Sequence, residues 1–535
     1  MATLAVSTEE ARVAMAEAAW PPWPMRILFA LVSGVLLAAS FPKLDFEPLA
    51  WVGLIPLLVA VRGVQPFRAA LLGWLSGITF YVCTCYWVVH TIDHYTALPT
   101  IVATGVLLIM SAALGAYTGA FTGWLRWLEL RGVPPVWIAP ALWVTLEWLR
   151  GWFFIGFPWA ALGYSQYRFH DLVQMAEVTG VYGISAVVVL FNVVGAEVLR
   201  TPPAGGRRSV VPSLMLLTVL VIGLPAVGRW RSTMIEQLPP VGHVKVGIAQ
   251  GNIQQDHKWD PAFQGETLTR YRDLTRATAE ARPALVVWPE TATPFFFQEP
   301  TDMREEVLDL AQQTGVHLLF GSPAFDQTRD GRLEEMNRAY LVSPAGRELA
   351  TYDKMVLVPF GEYVPYQDIL FFVDKMVHGS VGGIAPGIVP TVFSVDGTRF
   401  GTLICYEGVF PALTREFVVH GAQFLVNITN DAWYGPTSAP YQSLAQVTLR
   451  AVENRVPVVR AANTGFSAII DPDGRIRWQG PLDEMAWHVD DVAWPGIRTV
   501  YTAWGDVFVY ACALATLVAI GYGLRRWRRT RWPTI

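Results

Sequence analysis

Three residues of different chemistry follow apolar runs in the second half of the 535-residue chain: Glu290 after ALVVWP, Lys354 after ELATYD and Cys405 after FGTLI. A thiol is a poor nucleophile until ionised. A nearby carboxylate can take its proton, and an ammonium can both favour the anion and donate to a tetrahedral oxyanion. Together they would form an acyl-transfer set. Each also has a plain structural reading: a Cys ending an apolar strand is often core, a Glu after Trp-Pro can cap a turn, and a Lys after Tyr-Asp is usually a solvated loop charge. Spacing alone leaves both readings open. The other cysteines are Cys83, Cys85 and Cys512, and four in so long a chain make no disulfide framework. Cys83 and Cys85 would point about 200° apart on a helix, so they read as packing residues, and Cys512 likewise.

The elements that must position this set lie within residues 239–495, where charges recur regularly and short β-rich runs alternate with helical patterns. VKVGIAQ, ALVVWPE and VHLLFGS read as strands separated by helices over 266–281 and 302–314. RAYLVSPAGRELATYDK turns as a hairpin at Pro344–Gly346; FGTLICYE and QFLVNITND follow as strands, then a helix over 442–454 and the hairpin SAIIDPDGRIRWQG. This is an α/β pattern of two-layer type, and fully apolar strands need cover on both faces. There is no internal repeat or low-complexity tract.

The flanks differ in kind. Hydrophobic residues make up 53% of the chain, mean hydropathy is +0.34, and charged residues are 16%, against roughly 25% in ordinary soluble domains. Eight apolar runs are candidate membrane spans: 27–41, 49–61, 69–89, 98–121, 136–154, 178–198, 210–227 and 504–524. A bilayer core takes about 20 apolar residues per helix, so the first two, being short, could instead form a re-entrant pair. Arg62 and Arg68, Arg126 and Arg131, Arg200, Arg207 and Arg208, and the tail RRWRRTRW fall in alternate connections. The positive-inside rule then places both termini in the cytoplasm and residues 239–495 outside. LLAASF resembles a signal-peptidase site, but Glu9, Glu10 and Glu17 make a poor positive n-region, so the first span is retained. The expected order is a cytoplasmic segment 1–25, helices within 26–230, the α/β domain 239–495, a last helix 503–524 and a basic tail 525–535. A net charge of −4 gives no sign of a nucleic-acid partner.

WPE with Glu290, YDKMVLVPFGEYVP with Lys354 and Glu362, ICYE with Cys405 and Glu407, and NITNDAWYG with Asn430 and Trp433 resemble the signature segments of the nitrilase superfamily. With the membrane arms, QGNIQQDHKW and FPWAALGYSQ, the chain resembles the apolipoprotein N-acyltransferase family over nearly its whole length after about residue 26. The resemblance implies an αββα sandwich inserted before the last helix of an eight-helix transmembrane bundle. It implies Glu290 as general base, Lys354 as oxyanion stabiliser and Cys405 as nucleophile, with Glu362 orienting Lys354. Trp259, Tyr406, Glu407, Trp433 and Glu453 match positions of the family's active-site mouth and moving loops. Tyr434 departs from the Phe expected there.

The implied reaction is a ping-pong transfer without cofactor or metal. Cys405 takes an acyl chain from a phospholipid, typically phosphatidylethanolamine, as a thioester. The α-amino group of a diacylglyceryl-cysteine apolipoprotein then takes it as an amide. The implied location is the bacterial inner membrane with the catalytic domain on the periplasmic side, open sideways to membrane lipids. Asp374–Gly387, Gly-rich with no charge beyond Asp374 and Lys375, is a candidate gate, or else a plain surface connection. Two other classes compete. A tethered amidase or nitrilase would share the triad but need only one anchor and act on soluble amides. A transporter or scaffold would tolerate loss of Cys405; its expected intramembrane charges are sparse, and Glu147 has Arg150 one turn away as a partner.

Overall fold

The computed structural model describes residues 21–96, 98–153, 155–200, 211–327, 333–366 and 383–531. The N-terminal segment up to residue 20, expected to be cytoplasmic, Arg207 and Arg208, most of the candidate gate (374–382) and the last four residues of the tail lie outside these.

Two six-stranded sheets carry the α/β region. The strands are β1 (Gly242–Gln250), β2 (Leu285–Val287), β3 (His317–Gln327), β4 (Leu333–Val342), β5 (Glu348–Asp353), β6 (Val392–Val395), β7 (Thr398–Ile404), β8 (Phe424–Thr429), β9 (Val458–Ala462), β10 (Ala468–Ile470), β11 (Ile476–Gln479) and β12 (Ala486–Trp494). One sheet has the order β12-β1-β2-β3-β4-β5, the other β11-β10-β9-β8-β7-β6. In each, three central strands run parallel (β1-β2-β3 and β7-β8-β9) and the outer ones antiparallel. Val246, Ile248, Val287 and Leu319 of the first sheet meet Leu403, Val426, Ile428 and Val459 of the second in one core. The opposite face of the first sheet packs Trp288, Leu318 and Phe320 against the helices Gln264–Ala279 and Asp302–Thr314. The second sheet is covered by Pro411–Val419 and Ala439–Asn454. The domain therefore has four layers, not the two that alternation suggested: strand order decides that β6–β11 form a second sheet, and no local pattern encodes it.

Among the described residues, five helices are long and apolar enough to cross a membrane: Pro66–Thr84, Thr100–Glu129, Val181–Leu199, Val211–Glu236 and Val507–Arg528. Trp23–Ala39 and Pro135–Arg150 are shorter. The apolar run at 49–61 breaks into Ala50–Gly53 and Ile55–Ala60. The fully buried Asn192 satisfies that break, accepting from Leu54 N (2.8 Å) and donating to Ala50 O (2.8 Å), which is how non-helical backbone is tolerated within an apolar bundle. Pro66–Thr84 and Thr100–Glu129 make the closest helix pair through small residues. A Cβ on Gly77 would stand 2.6 Å from the Gly115 Cα, and one on Gly119 2.9 Å from Ala70 O, a GxxxG-like seam. Glu147 and Arg150 do not form the expected pair. Glu147 accepts from Leu162 N (2.7 Å) and Trp143 Nε1 (3.2 Å), while Arg150 donates to the Tyr81 hydroxyl and to Trp159 O (2.6 Å). The loop 157–163, folded back on the helix end, supplies partners that an isolated helix lacks.

The helix Ala439–Asn454 buries every side chain except Tyr441, because it lies between its own sheet and the membrane helices. Gln442 donates to Pro42 O (2.9 Å) and Thr84 O (3.0 Å) and accepts from Trp159 Nε1 (2.7 Å). Arg450 donates to the Tyr164 hydroxyl (2.9 Å), and Arg455 to Gln174 (2.7 Å) and Glu177 (2.9 Å).

Candidate active site

Parallel strands deliver their C-terminal side chains to one rim of a sheet, where the chain leaves the ladder and polar groups can converge. Glu290 follows β2, Cys405 follows β7 and Asn430 follows β8; Lys354 comes from the end of the edge strand β5, where its N–H still bonds Asn337 O of β4 (2.9 Å). Face-to-face packing of the sheets brings these ends together.

Lys354 Nζ donates to Glu290 Oε1 (3.3 Å) and to Glu362 Oε1 (2.8 Å), with both its own side chain and that of Glu290 buried. Asn337 Nδ2 bridges the same two carboxylates at 2.8 and 3.2 Å. The other Glu290 oxygen accepts the Asn430 N–H (3.0 Å), and the Cys405 thiol and the Glu290 carboxylate are near enough to shift each other's ionisation. Burial pushes the Glu290 carboxyl up, but the Lys354 and Lys258 ammoniums and the donated hydrogen bonds outweigh it, so its pKa falls below the ordinary 4.5. Burial would discharge Lys354, but Glu362 and Glu290 reverse this and hold it charged. Burial raises the Cys405 thiol to about 12, with the Glu290 charge adding to the effect and Lys354 opposing it. The resting site thus holds a neutral thiol against an ionised carboxylate, the state from which a general base acts. Cys405 itself sits at φ 53° between β7 and the 3₁₀ turn Cys405–Val409, left-handed backbone unusual for a non-glycine residue.

Glu407 lies under the site rather than at its rim. It is fully buried, accepting from Tyr352 Oη (2.8 Å), Met355 N (2.6 Å), Val356 N (3.1 Å) and Ile404 N (2.7 Å). It thereby ties the Lys354 segment to the Cys405 turn. Burial exceeds these bonds and raises its carboxyl to about 7. Glu453 is also fully buried, paired with Arg450 (3.0 Å) and accepting Val181 N (3.1 Å) at the junction with the membrane helices, away from any mouth. Trp259 and Trp433 are exposed. Trp433 O accepts from Thr91 (3.0 Å), and its ring meets Tyr95 at 5.0 Å on the short helix Trp87–Tyr95. Tyr406 is buried against Trp159 (6.5 Å) and Phe410 (4.9 Å). Trp87, Trp159 and Tyr434, with centroids 5.1–6.4 Å apart, complete an aromatic wall contributed by membrane arm and domain together.

Asn337 and Lys258 belong to the cluster and were missed by the sequence reading. Asn337 is one of several polar residues in LEEMNRAYLV, on the face shared with Ala339 and Leu341. Lys258 stood inside QGNIQQDHKW with no role assigned to it; it is 2% exposed and donates to Glu290 O (3.1 Å). Cys83 is exposed and Cys85 and Cys512 are buried, apart from the site.

Sandwich and cluster define a protein of the carbon–nitrogen hydrolase class, and the carbon-nitrogen hydrolase family profile matches residues 245–493. The profile of the apolipoprotein N-acyltransferase N-terminal domain matches residues 33–194. Over 502 residues the chain is 43% identical to the apolipoprotein N-acyltransferase of Geobacter metallireducens, covering 93% of this chain and 95% of that one. It is 33% identical to that of Azotobacter vinelandii, with 96% and 97% covered. The chain belongs to the apolipoprotein N-acyltransferase family. A solved amidase from Nesterenkonia sp. is 20% identical, with TM-score 0.37, covering 51% of this chain and 98% of that one.

Proposed function

We propose that the protein transfers a fatty acyl chain from a membrane phospholipid to the N-terminal amine of a diacylated apolipoprotein. The observation that carries this reading is the meeting of the Cys405–Glu290–Lys354 cluster with an aromatic wall built partly from the membrane arm. Cys405 hands its proton to Glu290, and sulfur attacks the ester carbonyl while Lys354 donates to the oxyanion. Collapse expels the glycerol oxygen, which takes the proton from Glu290 and leaves as lysophospholipid. The incoming amine then attacks the thioester, its proton passes to Glu290 and on to the departing Cys405 sulfur, and an amide is released. Excluding water protects the thioester, the purpose an apolar vestibule serves.

In this reading Glu362 and Asn337 hold Lys354 and Glu290, Glu407 fixes the Cys405 turn, and Asn430 orients Glu290 through its N–H. Tyr406, Trp433 and Trp259 line the lipid approach, and Glu453 braces the sandwich against the membrane helices. The membrane arm is an eight-helix bundle whose second member is the broken pair at 50–60. The catalytic domain 239–495 stands on the periplasmic side of the inner membrane, inserted before the helix 503–524, with both termini cytoplasmic. Phosphatidylethanolamine is the proposed donor. The proposed gate is Asp374–Gly387, whose described end is pinned by Ala385 N to Glu335 O (2.7 Å) and Gly387 N to Lys354 O (2.8 Å), a link that would couple gate movement to the oxyanion residue.

The test is incubation of the purified protein with phosphatidylethanolamine alone, then with a diacylated lipopeptide. Cys405 should gain the mass of one acyl chain as lysophospholipid appears, and lipopeptide should discharge it. Acylation of another cysteine, or turnover of a soluble amide without any acyl transfer, would overturn the reading in favour of a tethered hydrolase.

A further inference from the structure

Lys258 is buried at the end of the short helix Gln255–Lys258, directly after β1. Taking an ammonium out of water is costly unless charge and hydrogen bonds replace the lost hydration. The protein supplies one hydrogen bond to this ammonium, from Nζ to Glu290 O. The remaining compensation is charge, from the Glu290 carboxylate. Its immediate chain neighbours Asp256, His257 and Asp260 are exposed and turn to water.

The segment is held to the site by a dedicated network. Asn463 accepts from Ile253 N (2.8 Å) and donates to Ile253 O (2.7 Å) and to Asn430 Oδ1 (3.0 Å). Asn430 Nδ2 in turn donates to Gln255 Oε1 (2.7 Å). Asn430 is also the residue whose N–H holds the second Glu290 oxygen. The placement of Lys258 and the orientation of Glu290 are therefore set by one set of bonds.

We infer that Lys258 is a positioning residue for the general base: its ammonium clamps the Glu290 main chain and provides the second positive charge that keeps two neighbouring carboxylates ionised together. The charge count gives the reason. Glu290 and Glu362 share Lys354 and Asn337; Asp431 after β8 is already paired with Arg460 (2.8 Å) and contributes little net charge. With Lys258 the group of two carboxylates and two ammoniums is neutral. Without it, two close carboxylates face a single ammonium, and like charges so near one another drive one to hold a proton. Both carboxylates hold Lys354, but Glu362 holds it at 2.8 Å and Glu290 at 3.3 Å, and Lys258 lies against Glu290 alone, so losing its charge puts the proton on Glu290 and blocks its role as base. Burial lowers Lys258 itself to about 8, with the Glu290 carboxylate pulling it back up, so the second charge is present through neutral pH.

This inference rests on the proposed role of Glu290. The test is the pH profile of acyl-enzyme formation from phosphatidylethanolamine, read as acyl mass on Cys405, in the full-length protein and in Lys258→Met. In the variant the acid limb should move to higher pH by about one unit or more, with the plateau above it lowered by loss of the bond to Glu290 O. Lys258→Gln, which keeps a donor toward Glu290 O but no charge, should shift the limb as Met does, and serves if Met fails to fold. An unshifted limb in either variant, with or without a uniformly lower rate, overturns the inference and leaves a packing lysine. Absence of any acyl-enzyme in the unaltered protein would instead overturn the underlying reading of the triad.

Discussion

Cys405, the proposed nucleophile, shows how much of a thiol's character comes from its surroundings. Its resting thiol is neutral, so the proposed reaction depends on proton transfer to Glu290 and not on a standing thiolate. Iodoacetamide should therefore label Cys405 in the lipid-free protein more slowly than a free cysteine at mildly alkaline pH, measured by peptide mass; labelling faster than the free amino acid would contradict the raised thiol. Cys405→Ser should fold and insert but lose most acyl transfer, because a hydroxyl is far harder to ionise than even this thiol. Glu290→Gln should cost about 10²- to 10⁴-fold in thioester formation, and Lys354→Arg should also fail, since a planar guanidinium is bulkier than the ammonium that Glu290 and Glu362 grip at 3.3 and 2.8 Å. The pH dependence follows from the direction of the Glu290 shift. Its folded pKa lies below 4.5, so its stabilising contribution is complete above 4.5 and is lost as pH falls through the folded value. Acyl-enzyme formation should stay flat on moving from neutral pH down toward 4.5 and drop only below it; an acid limb near neutrality would show that another group is the base.

At the level of elements, two pieces carry unusual weight. The Gly73/Gly77 and Gly115/Gly119 seam brings Pro66–Thr84 and Thr100–Glu129 together behind the helix end that carries Tyr81 and Thr84. Gly115→Val would drive a side chain into the Ile78 main chain, where a Cβ already stands 2.7 Å from its nitrogen. Overpacking of this kind costs about 1–3 kcal/mol, to be seen as a lower unfolding midpoint in detergent; an unchanged midpoint would mean that the helices are free to separate. The second is Ala439–Asn454. Gln442→Ala removes the partner of Trp159 Nε1 and the donor to Pro42 O, leaving Thr84 O only the long bond from Ser438 Oγ (3.4 Å), and each orphaned buried group costs about 1–3 kcal/mol. Because Trp159 also stacks on Tyr406, beside Cys405, this variant should lose acyl transfer at temperatures where it remains folded, read by comparing activity with the melting curve.

Across the whole molecule, the sandwich and the membrane arm form one working unit, joined through Arg455–Glu177, Arg450–Tyr164 and Trp433–Thr91. A soluble hydrolase has no need of such a floor, whereas a lipid substrate must pass from bilayer to thiol without crossing water. Topology is testable on its own. A reporter placed in the Ser343–Gly346 turn should report the extracytoplasmic side and one fused after the chain's last residue the cytoplasm; both on one side would refute the proposed orientation.

Read alone, the sequence offered Glu290, Lys354 and Cys405 as candidates and located the α/β region between apolar arms, the hairpin at Pro344–Gly346 and the helix Asp302–Thr314, because apolar periodicity, turn residues and helix caps act over a few neighbouring positions. Its local patterns could not separate one sheet from two, which only the family resemblance implied, since strand partners are chosen by packing between segments far apart in the chain. It paired Glu147 with Arg150 by helical spacing, but the folded-back loop at 157–163 offered each a better partner. Lys258 and Asn337 read as ordinary polar residues, because what makes them unusual is loss of water, and only tertiary structure removes water. The sequence by itself determined which groups could do the chemistry and which segments would seek the membrane. The meeting of strand ends β2, β5, β7 and β8 over an aromatic floor decided that those groups share one site, and the charges gathered there set the protonation from which each would act.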